Sequence, residues 1–133
     1  MPRKGVKADK NMENAVRIIL KSRSKTKIYL YLLKKDGAKT EQIVSGTKLH
    51  PSTVRETLSK MNTQKLIIRK KQRNDSIGKN PYLYYAIPPV DLLKRYKREM
   101  EEGLNKLASF AFSNKNDDFK SVKIKIYDKA EQA

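Results

Sequence analysis

The 133-residue chain has no cysteine and a single histidine, His50. The first absence excludes disulfides, thiolate nucleophiles and cysteine-based zinc sites. A lone histidine in front of Pro51 suits a helix cap or a phosphate contact better than a metal. There is no glycine-rich phosphate loop and no pair of carboxylates set around an apolar cleft, so the residues argue against an enzyme and call for no cofactor. No apolar run approaches the roughly 20 residues of a membrane span, and the basic N-terminus is not followed by an apolar signal core. The expectation is a soluble, cytoplasmic protein with no membrane partner. Negative charge is also scarce, with 14 Asp and Glu against 31 Lys and Arg, a net charge of +17.

A surplus of that size opposes compaction through self-repulsion and becomes useful when the partner is a polyanion. Nucleic acid is therefore the expected partner class. The length suits one domain of ordinary size with an appendage.

In chain order, residues 1–11 read as a basic flexible arm. Met12, Val16, Ile19 and Leu20 then form the stripe of a short helix over 12–21. Ser24 is the expected N-cap of a second helix over 25–36, rich in Ile28, Leu30, Leu32 and Leu33 and closed by Gly37. Thr40 should cap a short helix, 41–45, with Ile43 and Val44 inward and Gly46 ending it.

The stretch from Leu49 to Ile68 carries the clearest functional pattern. Pro51 fits the first helical position, where its missing N–H loses no bond. Val54, Leu58 and Met61 recur at i, i+4 and i+7 and define one apolar face. The other face holds short hydroxyls at its start and long charged chains behind, a composition suited to the major groove. Ser52, Thr53, Arg55, Glu56 and Ser59 are the candidates for base edges. Lys48, His50 and Lys60 are candidates for phosphates. Two helices joined by a short turn, the first bracing the second, make a helix-turn-helix.

Beyond it, residues 66–73 begin apolar and turn basic, 74–81 have turn chemistry, and Tyr82 to Ile87 read as an aromatic strand. The expectation is a basic hairpin, a wing, that follows the DNA backbone with Arg69, Lys70, Lys71, Arg73 and Lys79. Val90 to Ala111 reads as one long helix. Leu93, Tyr96, Met100, Leu104, Leu107 and Phe110 lie along one stripe flanked by charges, the minimum signal for a dimer seam. After the polar break at 113–120, Val122, Ile124 and Ile126 alternate with polar neighbours as in a strand.

Residues 43–87 resemble the winged helix-turn-helix of archaeal TrmB-type transcriptional regulators. The residues that carry the resemblance are IVSGTKLHPSTVRETLSKM, then KLIIRKK, then NPYLYYAIPPVDLL, where the family has an aromatic strand, a Pro-Pro pair and a dimerising helix. The likeness covers roughly residues 25–110. Sugar-responsive members continue into a long effector-binding domain whereas this chain ends at Ala133, so the resemblance implies no sugar sensing.

The expected architecture is mainly α with a small β-hairpin wing: an arm over 1–11, a winged helix-turn-helix over 12–89, a long dimerisation helix over 90–112, and a polar break with a C-terminal strand over 113–133. The expected function is sequence-specific binding of double-stranded promoter or operator DNA by a homodimeric transcriptional regulator, with helix 51–62 as reader. Two alternatives remain open at this point: a winged-helix protein-interaction module of the transcription machinery, and an RNA-binding basic protein.

Overall fold

A computed structural model of the chain describes residues 10–72, 82–112 and 123–127. Arg73, Lys79, Val122, most of the N-terminal arm and the polar break after the long helix lie outside the described residues. The elements run α1 (Lys10–Leu20), α2 (Arg23–Lys35), α3 (Thr40–Thr47), α4 (Pro51–Thr63), β1 (Ile67–Lys71), β2 (Tyr82–Ala86) and α5 (Pro89–Phe112). They divide into two units, 1–88 and 89–133.

The first unit is built around α2, which packs against α1, α3, α4 and β2. Its Ile28, Tyr29 and Leu32 are fully buried together with Ile43 of α3 and Val54 and Met61 of α4. The Tyr29 hydroxyl donates to the carbonyl of Ile87 at 2.7 Å, so the ring contributes area to the core while its polar tip is satisfied. Among the described residues, β1 and β2 form a two-stranded antiparallel sheet with Ile67 opposite Ala86 and Lys71 opposite Tyr82. Ala38, between α2 and α3, exchanges both backbone hydrogen bonds with Tyr84 and ties the hairpin to the helices. This is a winged helix-turn-helix.

Several local details differ from the sequence reading. The cap of α2 is Ser22, whose side chain accepts the Lys25 N–H, and not Ser24, which lies inside the helix. Ser22 has the extended backbone a cap requires, and Lys21 before it takes a left-handed conformation that turns the chain out of α1. Helix α3 begins at Thr40 rather than after it, with the Gln42 amide oxygen accepting from the Lys39 N–H. Gly46 does not end α3. It sits within the helix because the Tyr31 ring lies where its Cβ would be, and Lys48 closes the helix in the left-handed region. Close ring packing here outweighs the roughly 1 kcal/mol that glycine costs a helix interior.

In the second unit α5 is 24 residues long, and Leu92 is its buried side chain. The 123–127 stretch, read from sequence as part of a strand, joins no sheet among the described residues. Its backbone is instead held by α5 side chains. Asn105 donates to the Ile124 carbonyl at 3.0 Å and accepts from the Ile124 N–H, and the Ile126 N–H donates to the Glu101 carboxylate at 2.7 Å.

Candidate nucleic-acid interface

Helix α4 is positioned at both ends. At its start, His50 is the N-cap and its Nδ1 accepts the Ser52 N–H at 3.2 Å. The Ser52 hydroxyl lies 2.9 Å from the same nitrogen. A ring nitrogen that accepts carries no hydrogen, so a neutral His50 ring bears its hydrogen on Nε2, free to donate outward. Ser52, with its proton directed to His50, turns acceptor lone pairs to anything approaching from outside. Along its length α4 is anchored by Val54, Thr57, Leu58 and Met61, all buried. At its far end the Leu66 N–H bonds to the Met61 carbonyl, and the chain enters β1.

That anchoring leaves one side of α4 free. Ser52, Arg55, Glu56, Ser59 and Lys60 are exposed and Thr53 is half-buried, all within one arc of the helix. Lys48, in the turn before α4, is exposed as well. The arc has two edges. Arg55, Ser59, Asn62 and Thr63 follow the i, i+4, i+7, i+8 spacing of one stripe. They line a cavity of about 240 Å³ that Arg69 and Tyr84 of the hairpin close from the other side. Ser52, Glu56 and Lys60 form the second stripe.

The hairpin separates charges that are consecutive in the chain. Successive residues of a strand point to opposite faces. Ile67, Arg69 and Lys71 therefore share the face of buried Tyr84, while Ile68 and Lys70 share the outer one. Arg69 and Lys70 each rest on a tyrosine of β2. The Arg69 guanidinium lies 4.3 Å from the Tyr82 ring centroid and the Lys70 ammonium 5.3 Å from that of Tyr85. Stacking of this kind restrains a long side chain while leaving its N–H groups exposed to donate. Arg55, Ser59 and Arg69 are thus brought together, whereas Lys70 faces elsewhere.

Asn62 and Thr63 join this group although neither is among the sequence candidates for base edges or phosphates. Their helical spacing from Arg55 and Ser59 is the signal that could have found them.

In α5 the stripe residues Leu93, Met100, Leu104, Leu107 and Phe110 are exposed, Tyr96 is half-buried, and Val90 is exposed beside them. No helix among the described residues is long and apolar enough to cross a membrane, and no group of metal-binding side chains occurs among them.

The family model described as "Sugar-specific transcriptional regulator TrmB" matches residues 22–90, from the cap of α2 to the start of α5. No curated protein matches the chain. Among solved structures, a "Possible transcriptional regulator from Methanosarcina mazei Go1" superposes with a TM-score of 0.65 at 17% identity, over 78% of this chain and 88% of that one. At that identity the likeness concerns the fold alone.

Proposed function

The chain belongs to the TrmB family of transcriptional regulators, and from that membership we propose that it is a homodimer that binds double-stranded DNA at preferred sites. Helix α4 enters the major groove, with Ser52, Thr53, Arg55, Glu56 and Ser59 at base edges. Lys48, His50 and Lys60 meet phosphates, and the wing cations Arg69, Lys70, Lys71, Arg73 and Lys79 follow the backbone. The observation that carries this reading is the polar arc of α4, held rigidly by its buried face and flanked by a cationic hairpin. A reader must be fixed in orientation before side chains of this length can discriminate bases. The exposed stripe of α5 supplies the seam for a second copy, since soluble monomers rarely leave such a patch open. We carry over the regulatory role and the DNA partner, not the sugar of the family's description.

Selection of genomic fragments on the purified protein, followed by binding across a salt series, tests the reading. A discrete preferred site is expected. If a dimer neutralises roughly 6–10 phosphates, affinity should fall about 10³–10⁵-fold between 50 and 200 mM salt. Preference for structured RNA, or a flat salt response, would overturn it.

A further inference from the structure

A cavity of about 470 Å³ is lined by none of the residues assigned to the reader or the wing. It lies between α1 and the first turn of α2. Arg17, Lys21, Arg23 and Lys27 line it, opposed by the single carboxylate of Glu13. Among the described residues, no side-chain hydrogen bond or ion pair engages any of these four cations. We propose that this cleft binds a small organic phosphate, at a site separate from the DNA-reading surface.

The lining chemistry points to that class of ligand. Two guanidinium forks and two ammonium groups offer many donors and no acceptor, the complement of a phosphate's oxygens. A concave wall concentrates their field more than the same charges would on a flat surface. Ser22 adds a further donor. Its oxygen accepts the Lys25 N–H at 3.2 Å, so its hydroxyl proton remains for a ligand. The Thr26 proton, by contrast, is committed to the Ser22 carbonyl at 2.7 Å. The first turn of a 13-residue helix at the rim adds to the positive potential. Glu13 restricts the choice. It would repel a second phosphate close by and accept from a hydroxyl, so a monophosphate ester carrying hydroxyl groups fits best. The volume lies in the range of small-ligand sites.

The cleft shares no lining residue with the cavity beside Arg55 and Arg69. The Lys25 ammonium donates to the Gln64 amide oxygen at 2.9 Å, which places the first turn of α2 beside the C-terminal end of α4. The reader's other end, with His50 and Ser52, is about 20 Å away along the helix. Because the lining residues differ, variants at Arg17 and Lys27 test the cleft without altering any residue assigned to DNA.

sn-Glycerol 3-phosphate is the probe, titrated into the full chain at fixed ionic strength and followed by calorimetry and by backbone amide NMR shifts. We expect saturable binding with shifts concentrated over residues 13–27, tighter than for inorganic phosphate. R17Q and K27Q should each weaken it about tenfold, the loss of one charge-assisted hydrogen bond. K27R should retain it, and K70A/K71A should leave it unchanged. Both Gln variants are surface changes whose melting temperature should match that of the unmutated chain. Shifts spread over the whole basic surface, non-saturable binding, or unchanged affinity in R17Q and K27Q would overturn the proposal. If those two variants lost affinity for duplex DNA and not for glycerol phosphate, the phosphate served would be that of DNA, which would equally overturn it.

Discussion

Helices α4 and α5 are both amphipathic, yet the apolar face of one is buried while that of the other is largely exposed. Val54 and Met61 of α4 are 0% exposed, while Leu107 and Phe110 of α5 are 63% and 77% exposed. The same kind of apolar periodicity thus marks a filled core in the first unit and an open face in the second. In α4 burial holds the opposite, polar side still, as the proposed reader requires. In α5 the apolar side itself is the functional candidate. An apolar stripe therefore identifies a surface that wants covering, and only the surrounding chain decides whether the cover is internal.

The strongest way to break this contrast is to charge the open stripe. Changing Met100 and Leu107 together to Glu should leave the first unit folded and yield monomers. Those monomers should bind half-sites weakly and lose the extra affinity of linked binding, about 10²–10⁴-fold on a full site. Sedimentation at micromolar concentration checks the assembly, and sedimentation of the unmutated protein as a monomer would remove the dimer. Truncation inside the filled core should act in the opposite sense. Met61→Ala should cost about 2–5 kcal/mol of stability through lost transfer energy and a residual cavity. Leu107→Ala, in an exposed position, should cost the isolated chain little. Denaturant titrations at low protein concentration would show whether the two positions really differ.

A finer comparison lies within the first unit. Arg55→Ala should relax preference at particular base pairs by about 1–3 kcal/mol if its contact is bidentate. Lys71→Ala should weaken all duplexes alike and reduce the salt slope by about one. Binding measured on matched and mismatched duplexes separates the two outcomes, and equal behaviour would remove α4 as the reader. The smallest effect concerns the strap on α5. Asn105→Ala removes both bonds to Ile124, and the Ile124 and Ile126 amides should then exchange faster with little change in global stability. Unchanged exchange would mean that the 123–127 stretch is held by something other than the Asn105 side chain.

The elements that proved easy to read share one property: their signals are local. Pro51 at the first helical position, the i, i+4, i+7 spacing of Val54, Leu58 and Met61, and the aromatic run that starts at Tyr82 each depend on residues within a few positions. The misreadings share the converse. Gly46 looks like a helix stop until the Tyr31 ring, fifteen positions earlier, is seen against it. Asn62 and Thr63 carry no site signal of their own until Arg69 closes a cavity over them. Arg69 and Lys70 look like one basic run until strand pleating sends them to opposite faces. Val122 to Tyr127 alternates as a strand would, but side chains of α5 hold the backbone of the described part.

By itself the sequence determined the winged helix-turn-helix fold and the apolar face on which α4 packs, and its charge pointed to a polyanionic partner. It did so because composition, periodicity and capping act over one or two turns of chain. Tertiary structure alone decided which apolar stripe is covered and which cations converge. It set Arg55 beside Arg69, and it gathered Arg17, Lys21, Arg23 and Lys27 around one cleft between two helices. Burial and electrostatic focusing depend on distances through space, and no spacing along the chain encodes them.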